Sequence, residues 1–143
     1  MLAALAEAEA AGKRGEVPVG AVVVDAQGRR LAQAGNRTRE LADPTAHAEM
    51  LAIREAARVL GSERLTGCDL YVTLEPCPMC AAAISFARIR RLYFGAADPK
   101  GGAVENGPRL FSQPTCHHAP EILGGIEETR AGEILRAFFA SRR

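Results

Sequence analysis

Two short segments of the chain carry side chains that bind metals and move protons: His47-Ala48-Glu49 and Pro76-Cys77-Pro78-Met79-Cys80. Cys77 and Cys80 are three residues apart, so on one helical turn their sulfurs face a common point. A helix N-terminus favours anions and so favours thiolates, the form of cysteine that binds metal. With His47 as a third, nitrogen ligand, the donor set suits zinc. Three protein ligands leave the fourth tetrahedral position for water, the pattern of a catalytic site. Zinc lowers the pKa of such a water from about 15.7 to about 7. Glu49 is then placed to take a proton from that water, deliver it to the substrate and help protonate a leaving amine. Residues two apart in a regular helix point to nearly opposite sides. His47 and Glu49 therefore converge only if His47 stands at the helix entrance.

Each half of this pattern has a plainer reading. A Cys-x-x-Cys pair alone fits a redox protein, which predicts a reversible Cys77–Cys80 disulfide and no zinc. A histidine at a helix start alone is an ordinary polar residue. Together, a zinc-stabilised binding module without turnover is the remaining non-enzymatic reading. Glu49 counts against it, because a structural zinc site gains nothing from a proton carrier.

These residues need elements to hold them. The opening run Leu2 to Lys13 predicts an amphipathic helix ending at Gly15. Val17 to Val24 is apolar without helical period and reads as a buried strand, closed by Asp25 and a turn at Gln27-Gly28. Arg30 to Ala34 is its hairpin partner. A helix is expected from Pro44-Thr45, since proline suits a first helical turn. Met50, Ile53, Ala57 and Leu60 give it a core face. A strand over Leu70 to Leu74 leads into Pro76-Cys77. An alanine-rich helix to Ala87, a strand over Arg91 to Gly95 and a final helix over Glu128 to Arg142 complete the reading. Between the last two, Ala96 to Pro120 is a long Gly-, Pro- and His-bearing loop of a kind that is functional or disordered. Strands alternating with helices indicate a layered α/β domain.

The 143 residues, 48% of them hydrophobic and 24% charged, are expected to form one soluble domain spanning 1–143. No stretch has the apolar length that a bilayer requires, and the first helix lacks the basic start of a signal peptide, so a cytoplasmic protein without membrane association is expected. A net charge of +1 counts mildly against broad, nonspecific polyanion binding.

His-x-Glu followed by Pro-Cys-x-x-Cys is the known signature of zinc nucleobase deaminases. Glu16-Val17-Pro18-Val19-Gly20-Ala21-Val22, Gly35-Asn36-Arg37, Asp43 to Glu49, Leu70 to Cys77, Met79-Cys80 and Phe94-Gly95-Ala96 further resemble the bacterial tRNA-specific adenosine deaminases. The resemblance covers nearly the whole chain and is strongest from Glu16 to Lys100. It implies a three-layer α/β/α cytidine deaminase-like fold with a five-stranded mixed sheet, one zinc per subunit and a homodimer. It implies as substrate the wobble adenosine in the anticodon stem-loop of an arginine tRNA, converted to inosine. It also implies that Asn36 hydrogen-bonds the flipped base, that the Ala48 backbone N–H faces it, that Val19 lines its pocket, and that Asp98 contacts the neighbouring nucleotide. The segment Asn106 to Pro120 and the short tail after Phe139 depart from the family pattern. A free base such as guanine or cytosine remains the alternative substrate.

The remaining candidates have mostly structural readings. Cys116-His117-His118 reads as loop packing or an RNA contact before a second metal site, and Cys68 as a small buried hydrophobe. Phe138-Phe139 reads as helix-end core packing before base stacking. Arg88, Arg90, Arg91, Arg136, Arg142 and Arg143 form either a phosphate-binding surface or ordinary solvated positions. Glu75-Pro76 sets a strand-to-helix turn.

Overall fold

The computed structural model describes residues 1–142; Arg143, one of the arginines named above, lies outside the described residues. The elements run α1 (Leu2–Lys13), β1 (Gly20–Val24), β2 (Arg30–Gly35), α2 (Ala48–Leu60), β3 (Asp69–Leu74), α3 (Pro78–Ala87), β4 (Arg91–Ala96), β5 (Glu121–Leu123) and α4 (Glu128–Ala140), with a 3₁₀ turn at Leu110–Ser112. The strands form one sheet in the order β2-β1-β3-β4-β5. β1 runs antiparallel to β2 and β3, whereas β4 runs parallel to β3 and β5, so the sheet is mixed. α1 and α4 pack on one face and α2 and α3 on the other. This is the expected three-layer α/β/α arrangement.

Small residues let the layers close tightly. Ala4, Ala8 and Ala11 of α1 are fully buried. At Gly20 the helix lies so close that an added Cβ would fall 1.9 Å from the Ala4 carbonyl oxygen. On the opposite face, Ala48, Ala52 and Ala56 of α2 join Val19, Ala21, Val23, Leu70, Val72 and Ile84 in the main core cluster.

Several boundaries differ from the sequence expectation. β1 begins at Gly20, not Val17. Pro18 has no N–H to donate to a ladder, and the Val19 N–H turns back to the Val17 carbonyl at 2.8 Å. α2 begins at Ala48, not at Pro44-Thr45, because the Asp43 carboxylate accepts both the N–H and the hydroxyl of Thr45, at 2.8 and 2.7 Å. That side chain organises a turn in place of the first helical turn. The buried stripe of α2 is Ala48, Ala52 and Ala56, while Ile53 and Ala57 flank it and Leu60 is exposed. The final helix stops at Ala140, and the short edge strand β5 lies just beyond the expected loop.

Candidate active site

The metal-binding candidates sit where chain geometry turns side chains off the ends of two helices. His47 is the N-cap of α2, with extended backbone at φ −71° and ψ 152°. Its ring is therefore released from the helical direction and converges with the side of the helix that carries Glu49. Cys77 is likewise the N-cap of α3, with Pro78 in the first turn and Cys80 one turn on. His47 Nδ1 lies 3.6 Å from Cys77 Sγ and 3.5 Å from Cys80 Sγ.

These distances test the fit to zinc. Tetrahedral bonds of about 2.05 Å to nitrogen and 2.3 Å to sulfur place the two ligand atoms about 3.6 Å apart. The three donor atoms lie within 4.8 Å of one another and form the only such His/Cys/Asp/Glu group among the described residues. The residues fit the ion in donor type, number and spacing.

The electrostatics agree with that use. The Cys77 thiol is brought down to about 4, chiefly by the hydrogen bond from the Cys80 thiol, against burial and with help from His47. Cys80, which gives that hydrogen bond and is fully buried, is pushed up. The Cys77 sulfur thus favours the thiolate, and a metal held there would favour release of the Cys80 proton as well. The Cys77 hydrogen bond raises His47 against its desolvation. Burial lifts Glu49 to about 7, the Cys77 thiolate adding to the rise and the His47 ring opposing it. Glu49 is 4% exposed. Of the other residues, the Cys80 thiol hydrogen-bonds weakly to its carboxyl and opposes part of the rise. A carboxyl that titrates near neutrality beside a metal-binding group both accepts and returns a proton.

Of the substrate-contact candidates, three come together. The Asn36 N–H donates to the Val19 carbonyl at 3.1 Å, and Ala48 follows His47 directly. Val19 and Ala48 belong to the same buried cluster. Asn36 is nearly buried. The loop from Asn36 to Ala46 is closed by the Arg37 N–H on the Ala46 carbonyl at 3.0 Å. Buried Glu16 holds the same loop, accepting the N–H groups of Arg39 and Glu40 at 3.1 and 2.8 Å. Burial raises the Glu16 carboxyl, but these N–H groups outweigh it and hold it below its ordinary range.

Asp98 stands apart, in the segment after β4, where its carboxylate accepts the N–H groups of Lys100 and Gly101. That segment is ordered chiefly by Glu75, whose carboxylate takes hydrogen bonds from Asp98, Val104, Glu105 and Asn106. Burial pushes Glu75 up, and the donors more than reverse this. The sequence assigned Glu75 only a turn. The signal that was present is a charged residue at the end of a buried strand, which must find donors somewhere.

Asp98 and Lys100 also line a cleft of about 990 Å³ with Leu135, Arg136, Phe139 and Arg142 of the C-terminal region. Phe139 is 48% exposed rather than part of the core, and the Arg142 guanidinium sits over the Phe138 ring at 4.0 Å. Arg90 and Arg91 are paired with Asp69 and Glu121. Cys116-His117-His118 packs as a loop: the Ser85 hydroxyl donates to the His118 carbonyl at 2.7 Å, and His118 Nε2 meets the Ile89 carbonyl at 2.7 Å. Cys68 is buried, as expected.

Residues 1–96 match the family described as the cytidine and deoxycytidylate deaminase zinc-binding region. A protein of Agrobacterium fabrum named tRNA-specific adenosine deaminase is 67% identical over 140 residues, 98% of this chain and 91% of that protein. A solved structure from studies of A-to-I editing by tRNA:A34 deaminases at the wobble position of transfer RNA superposes with a TM-score of 0.93. It is 67% identical, and the match covers 94% of this chain and 97% of that one. The guanine deaminase of Bacillus subtilis gives a TM-score of 0.65 at 34% identity, covering 97% of this chain and 88% of that one.

Proposed function

The chain belongs to the tRNA-specific adenosine deaminases within the cytidine and deoxycytidylate deaminase zinc-binding family, and from that premise we propose that it hydrolyses the wobble adenosine of an arginine tRNA anticodon loop to inosine. The observation that carries the reading is the His47–Cys77–Cys80 group, spaced for zinc, beside a buried Glu49 whose carboxyl is lifted to about 7 by burial. When bound there, zinc acts as a Lewis acid that makes water a nucleophile at neutral pH.

The protein's own residues supply the rest. His47, Cys77 and Cys80 hold the ion. Glu49 takes a proton from the attacking water, delivers it to the ring nitrogen beside the amino-bearing carbon, and later helps protonate the departing amine. Water adds at C6, the C6–N bond breaks, and the products are inosine and ammonia. Asn36 hydrogen-bonds the base, the Ala48 N–H faces it and Val19 closes the pocket around it. Asp98 meets the nucleotide alongside. A target already unstacked in an RNA loop costs less to extrude than one in a duplex. The cleft bearing Lys100, Arg136, Arg142 and exposed Phe139 offers cations and an aromatic face to the flanking RNA. In this reading residues 1–143 act as a single deaminase domain, paired as a cytoplasmic homodimer.

A second reading, deamination of a free base, draws on the similarity to a guanine deaminase and on the net charge of only +1. The two separate in one assay. Zinc-loaded protein is incubated with an arginine anticodon stem-loop and, in parallel, with free adenine, guanine and cytosine. Inosine confined to the stem-loop supports the first reading; ammonia released only from a free base replaces it with the second.

A further inference from the structure

Glu75 leaves the end of β3 immediately before Pro76 and Cys77, and its carboxylate takes five N–H donors, all from one segment. Oε1 accepts from the Asp98 backbone at 2.9 Å and from the Asn106 carboxamide at 2.7 Å. Oε2 accepts from the backbones of Val104, Glu105 and Asn106 at 3.1, 2.9 and 3.0 Å. The segment closes on itself through the Gly102 N–H to the Asp98 carbonyl, and docks on the strand end through the Ala103 N–H to the Pro76 carbonyl, both at 2.9 Å. It wraps the carboxylate without spare room: a Cβ on Gly102 would lie 2.5 Å from Glu75 Cδ and 2.6 Å from the Asp98 oxygen.

The geometry points to Glu75 as a positioning residue for the substrate. Its carboxylate fixes residues 98–106 as a preformed wall, on the same strand end that delivers Cys77 to the metal-binding group. This inference rests on the RNA reading above, in which Asp98 meets the nucleotide beside the target. RNA docking on a wall already ordered avoids the entropic cost of ordering it on binding. Glu75 touches none of the reacting atoms and acts through the segment it holds. Gln in its place keeps the length of the side chain but turns an NH₂ toward N–H donors, so the wall loosens while the metal-binding residues stay.

The test is made on zinc-loaded Glu75→Gln. Amide hydrogen exchange across 98–106 is expected to speed up about tenfold or more, with β1 and β3 unchanged. The KM for the arginine stem-loop is expected to rise about tenfold with kcat within about twofold, the mark of lost binding rather than lost chemistry. Asn106→Ala, which removes one donor, is expected to show the same pattern more weakly and serves if Glu75→Gln does not fold. Unchanged exchange in the segment overturns the clamp. Faster exchange with unchanged KM, or a fall in kcat alone, overturns its role in positioning substrate. No inosine from the unsubstituted protein overturns the RNA reading and the wall's purpose with it, whereas unchanged exchange overturns the clamp and leaves that reading standing.

Discussion

Glu49 and Glu75 are both almost fully buried, at 4% and 2% exposure, and their surroundings drive them in opposite directions. Glu49 lies beside the metal-binding group with only the weak Cys80 thiol as a hydrogen-bond donor from another residue, and burial lifts its carboxyl to about 7. Glu75 suffers the same burial, but five N–H donors outweigh it and hold the carboxyl below 4.5. Burial alone therefore does not make a carboxyl reactive; burial with too few donors to offset it does. The first glutamate is kept ready to change its proton, and the second is kept from changing it so that the chain around it stays put. Glu16 repeats the second arrangement on the other side, where two backbone N–H groups tie the loop after Asn36.

The contrast sharpens under substitution, and the largest effect belongs to the metal. Cys80→Ser is expected to lose zinc and, with it, turnover by several orders of magnitude. Full metal stoichiometry in that variant would remove Cys80 from the ligand set. Next comes Glu75→Ala, which strands several N–H groups around an empty space. A loss of about 3 kcal/mol in unfolding free energy is expected by denaturant titration. A change under about 0.5 kcal/mol would mean that water replaces the carboxylate and that the clamp is dispensable for stability.

Asn36→Ala is smaller and more selective, with deamination falling about tenfold or more and tRNA affinity changing little. Equal damage to both would undo its role in reading the base. The smallest effect is on pH dependence. The folded pKa values of Glu75 and Glu16 are depressed, so their contribution to stability is present above about 4.5 and is lost as pH falls through the folded values. Glu49 has the opposite sign: with its folded pKa raised, metal-free protein loses stability as pH climbs from 4.5 toward 7. Thermal unfolding of metal-free protein is expected to show the acid limb flattened by Glu75→Gln. The limb toward neutrality is expected to flatten in Glu49→Ala, and a profile indifferent to either change would contradict the contrast.

The metal-binding group was legible in the sequence because its requirements are local. Cys77 and Cys80 need one helical turn, and His47 and Glu49 converge only at a helix entrance, which is where His47 stands. The start of α2 lies later than Pro44 suggests because the Asp43 side chain forms a turn of its own where a first helical turn would fall. Its buried stripe of Ala48, Ala52 and Ala56 is too small in apolar size to stand out in the sequence beside Met50 and Leu60. β5 has three residues at a sheet edge, too few for a period to register. The Glu75 clamp was out of reach for a different reason. Most of its donors are backbone N–H groups far along the chain, which any residue type supplies, and only Asn106 contributes a side chain.

The most direct test of the account is Glu49→Ala, with zinc content and inosine yield measured on the same preparation and the arginine stem-loop as substrate. Full zinc stoichiometry with inosine formation reduced by about a hundredfold to ten-thousandfold is the predicted result. Turnover near that of the unsubstituted protein, with zinc still bound, would show that this buried carboxyl is not what carries the protons.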